Sequence, residues 1–225
     1  MKLAAAAGRP TAPVEIGSVE GLDYLLVARY DRHHRVGPDG TQIVERLHQE
    51  DFCQALGIVS EHKYQKEGGP SLKQCFGLIR NVSSAPVLDL SHLLDAVIFN
   101  WLVGNNDAHG KNFSLLYTGV GTGRIETRLA PLYDIVCTVA YPVLSDEMAM
   151  KIGDQYSSER VTPKDFEKLA EEAGLGKPLV KRRISELAED LLEALPVIDA
   201  GKPAAEKAAS ILRRRAETAM RSFAH

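Results

Sequence analysis

A chain of 225 residues, 44% hydrophobic and 25% charged, is long enough to bury a sizeable core and suits one soluble globular domain, with room for two lobes. Its formal net charge of −3 and pI near 6.2 give no overall basic field, which argues against sequence-independent nucleic-acid binding. Cys53, Cys75 and Cys137 lack metal-ligand spacing and suit a reducing cytoplasm. No apolar run approaches the roughly 20 residues of a membrane span, and the apolar stretch after Lys2 is too short for a secretory signal.

In chain order, residues 2–7 read as the end of a helix stopped by Gly8 and Pro10. Residues 13–17 and 23–30 read as strands joined at Gly21. Gly37-Pro-Asp-Gly40 is a turn, and Thr41 to Leu47 is expected to complete a three-stranded meander. Gln49 to Leu56 reads as a short helix. There Glu50 and Asp51 either favour the helix dipole or serve a site. Ser71 caps a helix from Leu72 to Ile79, and Asp89 or Ser91 is expected to cap a long apolar helix that ends near Val103. Residues 113–117 and 124–130 form a hairpin across the turn at 119–123. After Pro142 a strand at 147–152 precedes a tail with apolar residues at helical spacing, begun by Thr162-Pro163 and punctuated by Lys177-Pro178, Pro196 and Gly201-Lys-Pro203.

The chemistry concentrates in one stretch, Gly104-Asn-Asn-Asp107-Ala-His109-Gly110-Lys111-Asn112-Phe-Ser-Leu-Leu-Tyr117, with a second acidic site at Leu132-Tyr133-Asp134-Ile135. Asp107 and Asn112 stand at the Asp-x-x-x-x-Asn spacing of a kinase catalytic loop. Phosphoryl transfer needs one carboxylate at the attacking hydroxyl, and an Asn and a second Asp to hold magnesium on the nucleotide phosphates. The plain alternative is a turn in which Asn112 is only a cap. The apolar helix before the loop, the strand after it and the second Asp favour the catalytic reading. His109 and Lys111 add donor groups where phosphates would lie. Asp31-Arg-His-His-Arg35 reads as a solvated hairpin tip in preference to a metal site. Trp101 reads as core. Lys181-Arg-Arg183 and Arg213-Arg-Arg215 read as solvated faces in preference to contacts with an acidic partner or DNA.

The loop and Leu129-Ala-Pro-Leu-Tyr-Asp134-Ile resemble the catalytic loop and magnesium-binding strand of the HipA-like serine/threonine kinases, the toxins of bacterial toxin–antitoxin systems. Val27-Ala28-Arg29-Tyr30-Asp31-Arg32 resembles that family's adenine-contacting hinge. His48 to Gln54 and Lys63 to Pro70 resemble further family segments, in the same order. The resemblance implies an α+β, mostly helical fold: a protein-kinase-like C-lobe with a small N-terminal β-meander. It divides the chain into a hinge and meander (1–47), a catalytic core (48–142) and a helical tail (143–225). It implies Asp107 as the base, Asn112 and Asp134 as magnesium ligands, and His109, Gly110 and Lys111 beside the phosphates, with Tyr133 in the same nucleotide site. Ala28, Arg29 and Tyr30 would line the adenine pocket and Asp31 would reach the ribose.

The implied reaction moves the γ-phosphoryl group of ATP, with magnesium, to a Ser or Thr of a protein such as an aminoacyl-tRNA synthetase. The implied partner is a DNA-binding antitoxin, through which any DNA contact would be indirect. The loop is also similar to that of phosphoinositide kinases, so a lipid or small-molecule kinase is a third class. The phosphate loop and N-lobe lysine of the family are not found ahead of the hinge, where Lys2 is the only lysine. The expectation is therefore a truncated or split kinase completed by a separate N-lobe polypeptide, or else a non-catalytic module that binds an antitoxin or N-lobe.

Overall fold

The computed structural model describes residues 1–121, 123–198 and 203–223. Helix α1 (Lys2–Ala6) precedes two hairpins, β1 (Val14–Val19) with β2 (Leu22–Val27), and β3 (Arg32–Val36) with β4 (Gln42–Arg46). The expected meander is corrected, because these are two separate two-stranded sheets. Residues 28–31 do not prolong β2. They turn the chain around Asp31, which is buried and clasped by Arg29 and Arg32 at 2.5 Å each.

The helix expected over 49–56 is also corrected. His48–Asp51 is a strand, β5, pairing with β6 (Ser114–Thr118), which pairs in turn with β7 (Glu126–Leu129). Helix α2 is only Phe52–Ala55, capped by Asp51, whose carboxylate accepts from the Gln54 amide at 2.9 Å while the Gln54 side chain accepts from Asp51 N–H. Glu50 accordingly sits on a strand and accepts from the Tyr117 hydroxyl at 2.6 Å. Ser71 caps α3 (Leu72–Val82) as read from the sequence.

Helix α4 (Pro86–Val103) begins earlier than expected, with Pro86 at its first position, where the missing amide costs nothing. Neither Asp89 nor Ser91 caps it. Asp89 is buried in the first turn, where it accepts from Ser83 at 2.6 Å, from the Leu129 amide at 3.0 Å and from Arg128, tying the helix to β7. The helix is apolar all round and every residue from Leu93 to Val103 is buried, as expected of a central core helix. By composition it matches a membrane span, but 67% of that stretch is buried inside the fold.

The tail supplies β8 (Glu147–Ile152), β9 (Gln155–Ser157), α5 (Pro163–Ala173), α6 (Lys177–Ala194) and α7 (Pro203–Phe223). The punctuation at Gly201 and Lys202 lies outside the described residues. Trp101, Phe166 and Phe223 meet edge to face, with centroids 5.0–6.0 Å apart, so Trp101 is core. The two basic clusters are not wholly solvated faces. Arg183 joins Arg9 on the buried Asp95, at 2.7 and 2.6 Å. Arg215 is 8% exposed, pairs with Glu159, and donates to the carbonyls of Trp101 and Leu102, which satisfies the last turn of α4.

Candidate active site

Gly104 ends α4 in the left-handed region at φ 65°, where a Cβ would meet Val139 at 2.4 Å, so only glycine lets the chain leave the helix at this angle. Three asparagines then pin the loop. Asn105 donates from its amide nitrogen to Asn100 Oδ1 at 2.8 Å and to the Asp134 carbonyl at 3.3 Å. The backbone of Asn106 is bonded on both sides, its N–H to Thr138 Oγ1 at 2.8 Å and its carbonyl from Ala149 N–H at 2.7 Å. A 3-10 turn at Gly110–Asn112 is closed by His109 N–H donating to Asn112 Oδ1 at 3.1 Å. Gly110 packs so closely that a Cβ would lie 2.5 Å from Pro70 and 2.8 Å from Cys53 Sγ.

This scaffold brings Asn112 to Asp134. Asn112 Nδ2 donates to Asp134 Oδ2 at 2.6 Å, across 22 residues of sequence. Asp134 is expected on a strand but occupies irregular backbone at φ 56°, just after an isolated bridge between Leu132 and Thr11. Asn and Asp tolerate that region better than other side chains, because their short polar groups bond locally. Asp107 is exposed and accepts a 2.8 Å hydrogen bond from the Tyr64 hydroxyl. Tyr64 also meets the His109 ring edge-on at 5.5 Å, and Lys63 Nζ lies 4.8 Å from the Tyr64 ring centre.

The electrostatics follow from these neighbours. Burial pushes the His109 imidazole below its ordinary pKa and nearby Lys63 adds to the effect, so the ring is neutral at pH 7. Burial opposes the charge on Lys63, but Tyr64 and the carboxylates of Asp107 and Asp134 outweigh it and raise its pKa. Lys63 thus adds positive charge beside two carboxylates. Its place in the site, like that of Tyr64, was not deduced from the sequence. The available signal was the segment Lys63 to Pro70, already noted as family-like.

The other sequence-predicted residues divide. Tyr133 reaches Ser114 Oγ at 2.6 Å and donates to the Lys111 carbonyl at 2.7 Å, and its ring stacks on Tyr30 at 6.1 Å, joining the segment at residue 30 to the loop that carries Asn112. Ala28 and Arg29 are exposed at the end of β2. The guanidinium of Arg29 is turned onto Asp31, and Lys111 Nζ donates to Ser60 at 2.9 Å.

Among the described residues no three His, Cys, Asp or Glu gather into a cage for a metal ion. An amide oxygen and a carboxylate are hard donors of the kind magnesium takes; here Asn112 turns its amide nitrogen to Asp134, and its oxygen, which accepts from His109 N–H, keeps one lone pair for a cation.

Residues 1–195 match the family described as HipA-like C-terminal domain. The chain belongs to the HipA-like C-terminal domain family. It is 51% identical over 195 residues to a protein of Sinorhizobium fredii named "Putative kinase Y4mE", covering 87% of this chain and 44% of that one. It is 30% identical over 217 residues to the serine/threonine-protein kinase toxin HipA of Shewanella oneidensis, covering 88% of this chain and 48% of the toxin. The chain therefore spans about half the length of the curated HipA-like relatives it matches. All of it superposes on 55% of a chain in the solved complex of the Shewanella oneidensis toxin–antitoxin system HipA, HipB and its operator DNA, with TM-score 0.86 and 26% identity. The Helicobacter pylori proinflammatory kinase CtkA shares the fold alone, at TM-score 0.57 and 13% identity over 98% of this chain and 80% of that one. The fold is thus the α+β, kinase-like one expected from the sequence.

Proposed function

We propose that this chain is the catalytic and magnesium-binding half of a HipA-like toxin kinase, which transfers the γ-phosphoryl group of ATP to a Ser or Thr hydroxyl of a protein target. The observation that carries the reading is the 2.6 Å contact of Asn112 with Asp134, in the same loop system as an exposed Asp107 that already accepts from a hydroxyl. Magnesium, when bound, would draw phosphate oxygens together and neutralise their charge. Asn112 and Asp134 would hold it.

Asp107 orients the acceptor hydroxyl and takes its proton as the new oxygen–phosphorus bond forms and the bond to the departing ADP oxygen breaks. Neutral His109 and backbone groups of Gly110 and Lys111 lie beside the phosphates. Lys63 supplies a cation on the same side as both carboxylates. Ala28, Tyr30 and the backbone of Arg29 face the adenine, with Tyr133 stacked on Tyr30 next to Asp134. The expected reach of Asp31 to the ribose drops out, because its buried carboxylate is held by Arg29 and Arg32.

In this reading residues 1–47 are the hinge side, 48–142 the catalytic core and 143–225 the helical tail. The target is a protein, such as an aminoacyl-tRNA synthetase, and the partner a DNA-binding antitoxin or a separate N-lobe polypeptide. The three free cysteines suit a reducing cytoplasm. In this reading a phosphate loop and a strand lysine are supplied by an N-lobe segment, which a separate polypeptide could carry.

The test is phosphate transfer from labelled ATP by this chain combined with that segment. Asp107→Asn is expected to lower the rate by about 10²- to 10⁴-fold while leaving the circular dichroism spectrum unchanged. Transfer at the wild-type rate by Asp107→Asn would remove Asp107 from the role. Antitoxin binding without phosphate transfer under any combination would favour the non-catalytic module.

A further inference from the structure

A cavity of about 250 Å³ lies against the last turn of α4, bordered by α7 and by the segment that follows β9. Trp101, Val161 and Phe223 give it an apolar wall, and Ser158, Arg214 and Arg215 a polar one. None of these takes part in the chemistry at Asp107. Ser158 is 4% exposed, yet its hydroxyl oxygen has no hydrogen-bond partner. A buried hydroxyl without a partner is a cost that a bound acceptor removes. The Ser158 carbonyl accepts from Trp101 Nε1 at 3.0 Å, which fixes the indole ring in the wall. Arg215 donates from Nη2 to the Trp101 carbonyl at 2.7 Å, from Nε to the Leu102 carbonyl at 3.1 Å, and from Nη1 to Glu159. A guanidinium has five N–H groups, so part of the donor capacity of this buried side chain is unused. Arg214 is exposed, and no carboxylate of the described residues pairs with it. The two arginines outweigh Glu159, so the cavity is net positive in a chain whose net charge is −3.

We propose that this cavity binds a small monocarboxylate with an apolar body, and that its occupancy is felt at the Asp107 loop through Arg215. The carboxylate lies between Arg214 and the unused N–H groups of Arg215, and accepts from the Ser158 hydroxyl. The apolar body packs against Trp101, Val161 and Phe223. A carboxylate suits the place better than a bare phosphate, because the apolar wall offers nothing to further anionic oxygens. The volume is below that of cavities that hold drug-sized molecules, so the ligand is small. The coupling follows from the position of Arg215, which bonds the ligand and the carbonyls of Trp101 and Leu102 at once. Those residues close α4, and Gly104, Asn105 and Asn106 leave it towards Asp107. A carboxylate that draws the guanidinium towards the cavity therefore pulls on the helix end from which the loop departs. The site does not depend on the phosphoryl-transfer reading of Asp107.

Trp101 is the single tryptophan of the chain and lies in the cavity wall, so its fluorescence reads occupancy directly. Titration of the 225-residue chain with sodium hexanoate is expected to shift that emission along a saturable curve. Acetate has the charge but almost no apolar body, and hexanamide has the body but no charge. Each is expected to bind about tenfold or more weakly than hexanoate. Arg214→Gln, an exposed change, is expected to weaken hexanoate about three- to fivefold. Ser158→Ala is expected to weaken it about three- to tenfold without lowering the urea midpoint, because the hydroxyl has no partner to lose in the free protein. An emission that does not saturate, equal binding of hexanoate and hexanamide, or full affinity in both variants overturns the site. A Ser158→Ala chain that is less stable yet binds hexanoate as the parent does assigns the hydroxyl to the fold and overturns its place in the site. Backbone amide signals of Asn105 and Asn106 are expected to move over the same hexanoate concentrations as the Trp101 emission. Saturation at Trp101 with those signals unmoved overturns the coupling to the loop. Neither readout involves phosphate transfer, so failure here and failure of the kinase reading are separate results.

Discussion

Asn112 Nδ2 lies 2.6 Å from Asp134 Oδ2, and this contact joins the end of the 3-10 turn to a segment that is otherwise irregular. If the pair holds magnesium, Asn112→Ala and Asp134→Ala should each weaken it by about tenfold or more, a scale typical for groups in and around metal sites. Manganese-induced broadening of backbone amide signals from residues 104–117 is a direct readout, since manganese accepts the same oxygen ligands. Unchanged broadening in both variants would place the ion elsewhere.

Gly110→Ala is expected to be damaging although it adds only a methyl group. The new Cβ would meet Pro70 at 2.5 Å and Cys53 at 2.8 Å, and both partners are buried. Overpacking of that kind costs about 1–3 kcal/mol. Because Gly110 starts the turn that carries Asn112, the variant should lose urea stability and metal affinity together, which a denaturation series with and without manganese measures.

The Asp89–Arg128 pair is expected to matter for stability and not for chemistry. Asp89 is buried and its carboxylate lies within 3.2 Å of Arg128, whose own side chain is 40% exposed. Arg128→Ala leaves a buried carboxylate supported only by Ser83 and the Leu129 amide, at a cost of about 2 kcal/mol, less than a fully buried pair would lose because water already reaches the arginine. A urea midpoint unchanged in Arg128→Ala would show that the neutral donors suffice.

Asp31 ties stability to pH. The Arg29 hydrogen bond, against the opposing effect of burial and with help from Arg32, lowers its carboxyl to about 2 from 3.8. The folded pKa lies below the unfolded one, so the ionised form favours the fold. That contribution is complete above the unfolded value and drains away as pH falls towards 2. The gap in urea midpoint between wild type and Asp31→Asn should therefore be widest near neutrality and shrink steadily as pH is lowered below about 4. A gap that does not vary with pH would mean the clasp acts through shape alone.

Much of the fold was legible because its signals are local. Gly104 ends the apolar helix where its run of apolar residues stops, Ser71 and Thr162 cap helices at their own positions, and Gly37 to Gly40 turns one hairpin. The errors share a physical cause. His48–Asp51 has no strong strand composition and becomes a strand only because β6 offers it an edge. Asp89 and Arg215 look like a cap and a solvated charge, but long-range partners draw them into the interior. Asp107 and Asn112 were singled out by their spacing and Asp134 by the family resemblance, and the fold places Asn112 against Asp134. Tyr64 and Lys63 were not singled out, since 43 residues separate Tyr64 from Asp107 and neither residue type announces a role near a carboxylate.

The left-handed backbone at Asp134 has a consequence for how this protein can fail. A side chain held there is under strain on the order of 1 kcal/mol, which glycine would relieve. Losing the Asn112 hydrogen bond costs a similar amount, about 1 kcal/mol. Asp134→Gly should therefore fold as well as the parent while lacking the carboxylate. Loss of the carboxylate by that route would leave expression, solubility and melting temperature intact, so a screen for misfolded variants would pass over a change that removes one of the two proposed magnesium ligands.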